Sequence, residues 1–265
     1  MMLLGRGRPL PFLFRTLAPV AWRLGIDLRL EPEFGHAAQL VYPDGRIRYL
    51  RSQDFDLNPA TSALVAAQHG KLLPFLAREG LPLPPFAVWE RGASEEEGLT
   101  RVAASAEALG YPLVLRSFDW VMPGAHLIAS GEALVRQAMV RDRFVLQERV
   151  PGEVSRAIVL GDEVVLAYRP KPPAFAGEDL LLGTGARQGG AQEACVLPGA
   201  SEALAIETLK RCGLFFGAID LVRHAGAPAV LDVDPKPSLQ GYAQLGEGER
   251  RQVSALFERI LHLMA

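Results

Sequence analysis

The sequence predicts an α+β protein in which helices and strand hairpins follow one another irregularly. Several pairs of apolar segments are separated by short polar turns, as in antiparallel hairpins. The regular strand–helix alternation of a doubly wound nucleotide-binding fold is missing. The sequence also has no P-loop, and the segment that begins at Gly183 lacks the third glycine of a dinucleotide fingerprint.

The first part of the chain, residues 1–57, predicts a short lead-in region without catalytic residues. Apolar spacing predicts a helix from Phe12 to Leu24 and a strand from Ile26 to Leu30. Two further apolar runs, 38–42 and 46–50, flank the turn signal Pro43-Asp44-Gly45 and predict a hairpin.

The pattern changes at Asn58, whose side chain is expected to cap a helix that continues to about His69. A second helix is predicted from Lys71 to Glu79, with Gly80 ending it. The next predicted elements are a strand at 86–89, a helix at 94–109, strands at 112–117 and 126–130, a helix at 131–141 and a strand at 144–150.

The last part of the chain begins with a predicted hairpin about Gly161-Asp162, formed by segments 154–160 and 163–169. An irregular stretch from Pro170 to Gly199 follows. The sequence then predicts a helix at 201–212, two apolar strands within 215–237, and a closing amphipathic helix from Gly246 to Met264.

Three carboxylates lie inside the apolar strands of the 215–237 pair: Asp220, Asp232 and Asp234. Alternation places Asp232 and Asp234 on one face, and pairing as a hairpin would place Asp220 across from them. Carboxylates that converge repel unless a positive group lies between them, and hard oxygen ligands suit Mg²⁺ held together with a substrate phosphate. The alternative, three separate water-facing carboxylates, is the better interpretation for one aspartate but not for three at this spacing.

The composition limits the classes of partner and location. The chain has 265 residues, of which 49% are hydrophobic and 22% charged, so a packed core is feasible. A net charge of −2 gives no reason to expect nucleic acid, and no segment reaches the roughly 18 apolar residues that span a membrane. Cys195 and Cys212 lack metal-ligand spacing, and His69 and His126 are interpreted as surface or structural residues. We therefore expect a soluble cytoplasmic protein without a membrane partner.

The order of these motifs resembles the ATP-grasp superfamily of carboxylate–amine ligases, in particular the ligase portion of cyanophycin-synthetase-type and ribosomal-protein glutamate-ligase-type enzymes. The likeness covers the chain from about residue 58 to its end. It implies an ATP-grasp fold with two α+β subdomains, 58–146 and 147–265, that clasp the nucleotide. The segments that carry it are Gly70-Lys71 through Gly80, Tyr111–Arg116, Gln147–Val150, Pro151–Arg156 and the strand pair with the three aspartates.

The resemblance also implies a role for each matching residue, with ATP and Mg²⁺ as cofactors. Arg156 would steady the phosphate transfer, and Glu153 would hold the ribose. Arg187-Gln-Gly-Gly190 resembles a loop near the acceptor site. The other implied sites are the phosphate contacts Lys71 and Arg116, the adenine-reading linker Gln147, Glu148, Arg149 and Val150, and the metal ligands Asp220, Asp232 and Asp234.

The implied reaction transfers the γ-phosphoryl group of ATP to a carboxylate, and an amine of an amino acid or peptide then attacks the acyl phosphate. Related ligases are often dimers or tetramers, so a homo-oligomer is one option for this chain.

Two departures from the family keep other interpretations open. Where the family has a glycine-rich loop, this chain has Ser117-Phe-Asp-Trp-Val-Met-Pro-Gly-Ala125, whose bulky side chains restrict the approach of backbone amides to phosphate. Asp232 and Asp234 stand where the family usually has Glu and Asn. A degenerate ATP-grasp protein that binds nucleotide or a partner without making an amide is therefore the alternative to a ligase. A third interpretation is an unrelated α+β protein with structural aspartates.

Overall fold

The computed structural model of this chain describes residues 9–91, 95–118, 125–171 and 190–265. The strands in these ranges form three sheets, and every strand pair within them is antiparallel. Helices lie between the hairpins without a repeating strand–helix unit. The predicted α+β class is confirmed.

The N-terminal region contains one helix and a three-stranded sheet in the order β1-β2-β3. These elements are α1 (Phe12–Arg23), β1 (Asp27–Leu30), β2 (Ala37–Val41) and β3 (Ile47–Arg51). The turn between β2 and β3 is the predicted Pro43-Asp44-Gly45, in which Gly45 has a φ of 85°, a conformation that glycine adopts without steric cost. The predicted helix and hairpin are confirmed with small shifts at their ends.

Two helices follow, α2 (Ala60–Ala66) and α3 (His69–Arg78), and α3 is followed by Gly80 with a φ of 74°. The next unit is a four-stranded sheet in the order β4-β7-β5-β6, covered on one face by two helices. Its elements are β4 (Phe86–Glu90), α4 (Glu95–Leu109), β5 (Leu113–Ser117), β6 (Ala125–Ile128), α5 (Gly131–Met139) and β7 (Arg143–Glu148).

The last unit is a five-stranded sheet in the order β10-β9-β8-β11-β12. Its elements are β8 (Ser155–Leu160), β9 (Glu163–Pro170), β10 (Ala191–Ala194), α6 (Gly199–Arg211), β11 (Phe216–His224), β12 (Ala227–Asp234), α7 (Gln240–Ala243) and α8 (Glu247–Met264). The sequence analysis missed the strand β10 and the helix α7. Each has four residues, which is too few to show a hydrophobic period.

Apolar side chains from the segments before β4 and after β7 cover both faces of the five-stranded sheet. One face packs against α1, the three-stranded sheet, α7 and α8, with Leu17, Leu40 and Ile260 fully buried. The other face packs against α2, α3 and α6. The four-stranded sheet has its own core with α4 and α5. The lead-in region thus shares a core with the end of the chain. The division of the chain into residues 1–57, 58–146 and 147–265 stays a prediction.

Asn58 does not cap α2, contrary to the sequence-based expectation. The residue before α2 is Pro59, and no side chain caps this helix. The Asn58 amide instead lies against the start of β11 and the end of β12. It donates to the carbonyls of Phe216 (2.8 Å) and Pro235 (3.1 Å), and it accepts from the backbone amides of Phe215 and Phe216. A pattern of neighbouring residues could not reveal these partners, which are more than 150 residues away.

Replacing Asn58 by alanine is expected to lower the free energy of unfolding by about 2–3 kcal/mol, because backbone groups at the β11–β12 hairpin lose their partners. Urea denaturation measures this loss. Gln39→Ala is the matched control, since the Gln39 amide makes its contacts at the exposed surface and its loss should cost under about 0.5 kcal/mol. Equal losses in the two variants would contradict the assigned role of Asn58.

Candidate active site

The three aspartates singled out from the sequence lie close together on β11 and β12. Asp220 is directly opposite Asp232 in the strand register, and Asp234 is opposite Ala218. Residues that oppose each other across a strand pair project to the same face. All three side chains belong to residues that are at most 4% exposed. The predicted hairpin, with Asp220 across from Asp232, is confirmed, and we call these residues the carboxylate cluster.

Arg156 supplies the positive charge beside two members of this cluster. It lies on β8, opposite Asp220, and it is fully buried. Its Nε and Nη2 bind the two oxygens of Asp220 at 2.7 and 2.8 Å, while its Nη1 lies 3.3 Å from Oδ2 of Asp234. Burial lowers the pKa of Arg156, but the adjacent Asp220 and Asp234 carboxylates outweigh it and hold that pKa well above its usual value. The guanidinium is therefore a fixed charge.

Asp232 has different side-chain contacts, with residues from outside the five-stranded sheet. Its Oδ1 lies 2.7 Å from Nε2 of His69 at the start of α3, and it also accepts from the backbone amide of Val233 at 2.8 Å. Its Oδ2 lies 3.9 Å from Nη1 of Arg116, near the end of β5 in the four-stranded sheet. The same Arg116 nitrogen is 3.3 Å from His69. Both sheets therefore contribute charged groups to one place.

His69 is the residue that sequence reasoning missed, because it was interpreted as a surface or structural histidine. Its side chain is only 14% exposed and contacts both Asp232 and Arg116. The one available signal was its position two residues before Lys71, in the helix start that the resemblance singles out. His126, by contrast, contacts Arg141 at 2.8 Å, outside this site.

Tyr168 completes the buried surroundings of Arg156. It lies on β9, directly opposite Arg156, and it is fully buried. Burial raises the pKa of its phenol to about 12, with the Arg156 charge acting in the opposite direction. The phenol therefore stays protonated and neutral at physiological pH, so it adds no negative charge to the carboxylate cluster.

The carboxylate cluster fits Mg²⁺ in the chemistry of its donors, since Mg²⁺ prefers carboxylate oxygens. In the present arrangement both oxygens of Asp220 are bound by Arg156, and Oδ1 of Asp234 accepts from the backbone amide of Lys236 at 3.0 Å. Within the described ranges, no three His, Cys, Asp or Glu side chains are grouped so that they could hold a metal ion. A bound cation would thus compete with Arg156 for the same oxygens.

Two of the remaining candidate residues are exposed at the surface. Lys71 is exposed in the first turn of α3. Glu153 is exposed between β7 and β8, where it forms an ion pair with Arg169 at 3.1 Å. The proposed contacts of Lys71 with phosphate and of Glu153 with ribose therefore stay predictions.

The predicted adenine linker is the connection between the two larger sheets. Gln147 is buried on β7, and Glu148 ends this strand, where its Oε2 lies 3.2 Å from Nε2 of His224 on β11. Arg149 and Val150 follow outside the strand, with Arg149 exposed and Val150 half-buried. Trp120, most of the Arg187–Gly190 segment and the segment at Gly183 lie outside the described residues.

Comparison with known proteins supports the resemblance drawn from the sequence. No protein-family model matches the chain. A curated relative, a probable alpha-L-glutamate ligase of Legionella pneumophila (strain Corby), is 24% identical over 222 residues, covering 79% of this chain and 68% of the relative. The resemblance to ATP-grasp carboxylate–amine ligases is thus confirmed by sequence similarity.

Solved structures show the same architecture. A RimK domain protein ATP-grasp from Sphaerobacter thermophilus matches with a TM-score of 0.54 and 22% identity, over 76% of this chain and 69% of that one. The ATP-grasp ligase PsnB, complexed with a phosphomimetic variant of its minimal precursor, Mg and ADP, matches with a TM-score of 0.56 and 16% identity, over 79% and 62%. The chain has the ATP-grasp fold.

Proposed function

We propose that this protein is an ATP- and Mg²⁺-dependent carboxylate–amine ligase that works through an acyl phosphate. The observation that carries the proposal is the meeting of Arg116 from the four-stranded sheet with Asp232 from the five-stranded sheet, beside Arg156. A site in which buried arginines and carboxylates from both sheets meet suits the transfer of a phosphoryl group, because this reaction needs positioned charge and little covalent chemistry from the protein.

The nucleotide would lie between the two sheets, along the linker that joins them. The backbone of Gln147–Val150 would read adenine, and Glu153 would bind the ribose after exchanging its contact with Arg169. Lys71 and Arg116 would contact the phosphates. Arg116 keeps the positive charge of the family's lysine but presents it as a planar fork, which favours two parallel hydrogen bonds to phosphate oxygens.

The buried charges would then act on the transfer itself. Asp232, together with Asp220 and Asp234 once they exchange contacts with Arg156, would hold Mg²⁺, which would supply charge neutralisation at the phosphate. Arg156 would offset the negative charge that develops on the transferred group. The acid oxygen forms a bond to phosphorus as ADP leaves. The amine nitrogen then attacks the acyl carbon, phosphate leaves, and the nitrogen loses a proton.

The substrates are proposed to be an amino acid or peptide, on either the acid or the amine side. The curated relative is named as a glutamate ligase and PsnB was solved with a precursor peptide, so glutamate and short peptides are the first substrates to test. The alternative, nucleotide binding without amide formation, receives no support from the comparisons.

The location and assembly of the protein are proposed on the sequence alone. None of the described helices combines the length and apolarity that crossing a membrane requires. A net charge of −2 gives no basis for a nucleic-acid partner. We retain a cytoplasmic protein without nucleic-acid or membrane partners as the working proposal, with a homo-oligomer as one option.

Thermal stability with ligands tests the proposed cofactors. ATP and Mg²⁺ together, at about 100 times the dissociation constant, should stabilise the fold by about 2.7 kcal/mol. For a chain of this size that stabilisation should raise Tm by about 5 °C. ATP with EDTA is the control and should give a smaller rise. A Tm that stays unchanged with ATP and Mg²⁺ together would contradict the proposal.

A further inference from the structure

The residue that follows β5 packs against a glycine in the first turn of α3. The aromatic ring of Phe118 lies so close to Gly70 that a Cβ built at residue 70 would overlap the ring carbons. Gly70 is not in a left-handed conformation, so its backbone would accept other residues. Glycine is therefore required here because of the Phe118 ring.

A backbone hydrogen bond joins the same two residues. The amide of Gly70 donates to the carbonyl of Phe118 at 3.3 Å. The first amides of a helix have no partner within the helix, and the residue that precedes α3, Gln68, offers no side-chain cap. The carbonyl of Phe118, which directly follows β5 of the four-stranded sheet, thus accepts a hydrogen bond from a helix-terminal amide of α3.

A cation also contacts the Phe118 ring. The guanidinium carbon of Arg143, at the start of β7, lies 4.8 Å from the ring centroid, within the range of cation–π attraction. β7 pairs directly with β5, so Arg143 belongs to the same sheet as Arg116. The ring is therefore fixed to the four-stranded sheet by Arg143 and fixed to α3 by Gly70.

This contact lies among three candidate phosphate-binding side chains. Arg116 is two residues before Phe118, and His69 and Lys71 flank Gly70. Nη1 of Arg116 is 3.3 Å from His69, and His69 is 2.7 Å from Asp232. Any shift of the end of β5 along α3 would change the spacing between Arg116 and the helix start.

We propose that Phe118 is a positioning residue, which locks the end of β5 onto Gly70 so that Arg116, His69 and Lys71 are held together for phosphate binding. The proposal rests on the proposed function, since phosphate is the ligand that these three side chains would share.

A double-mutant cycle between Gly70→Ala and Phe118→Ala tests the contact, with two readouts. The first is Tm without ligand, and the second is the dissociation constant for ATP with Mg²⁺, measured by calorimetry. Phe118→Ala alone should weaken ATP binding by about tenfold, and Phe118→Tyr should restore most of the affinity. Gly70→Ala alone should lower both Tm and affinity, but in the Phe118→Ala background it should have almost no further effect, because the overlap is gone. Phe75→Ala, an exposed phenylalanine on the same helix, is the matched control.

The two readouts separate the possible failures. If the two substitutions are coupled in Tm but ATP affinity stays the same in every variant, the positioning role is overturned. If Gly70→Ala lowers Tm equally in the wild-type and the Phe118→Ala backgrounds, the contact itself is overturned. A wild-type protein that does not bind ATP would instead overturn the proposed function, and the positioning role with it, while the Tm cycle would still report on the contact.

Discussion

Asp232→Asn is expected to lower substrate-dependent ADP release by about a hundredfold or more while the protein remains folded. Asparagine keeps the size of the side chain and can still accept from the Val233 amide and from His69. It removes the negative charge that contacts His69 and Arg116, and with it the anionic oxygen that the proposed function assigns to Mg²⁺. The variant should also lose the part of the ATP-induced rise in Tm that depends on Mg²⁺.

The assay for this prediction measures ADP release with glutamate and short peptides as substrates. Asp162→Asn is the matched control, because Asp162 is an exposed carboxylate in the turn between β8 and β9 and lies outside the proposed site. Its rate should stay close to that of the wild type. Full activity of Asp232→Asn would exclude Asp232 from metal binding and from charge stabilisation.

Arg156→Met is expected to destabilise the fold by about 3–5 kcal/mol, because it removes one partner of a fully buried ion pair. Methionine fills a similar volume, but Asp220 and Asp234 would then be buried without the guanidinium that binds them at 2.7–3.3 Å. The expected fall in Tm is about 5–9 °C for a chain of this size. Arg156→Lys should be intermediate, since one ammonium cannot reproduce the two parallel bonds to Asp220.

The double variant Arg156→Met with Asp220→Asn separates charge from packing. If an unpaired buried carboxylate causes the loss, removing the charge of Asp220 should recover a substantial part of the stability. Thermal and urea denaturation of the single and double variants measure this recovery. If the losses of stability in the two single variants simply add in the double variant, the destabilisation comes from packing and not from the unpaired charge.

The two predictions differ because Arg156 and Asp232 have different partners. Arg156 is enclosed within one sheet, where its neighbours come from adjacent strands and its removal disturbs the core. Asp232 lies where α3 and β5 approach the sheet, so its removal disturbs the contact between the two sheets with less effect on either core. Stability and activity are therefore expected to respond separately at these two positions.

Local signals in the sequence were enough to predict most of the secondary structure and the fold class. Apolar spacing placed α1, α4 and α8 almost to the residue, and turn residues such as Pro43-Asp44-Gly45 and Gly161-Asp162 placed the hairpins. The same local logic put Asp220 across from Asp232, since only a short turn separates their strands. The order of short motifs led to the ATP-grasp resemblance that the comparisons confirm.

Only the tertiary structure decided which charges meet and what holds them. His69 and Asp232 are 163 residues apart in sequence, and Arg156 and Asp220 are 64 apart, so no window of neighbouring residues could pair them. Asn58 resembled a helix cap from its neighbours, yet its amide binds the distant β11–β12 hairpin. The contact of Phe118 with Gly70 likewise depends on how α3 packs between the two sheets. These features follow from the packing of side chains from distant segments, which the local pattern of a sequence does not encode.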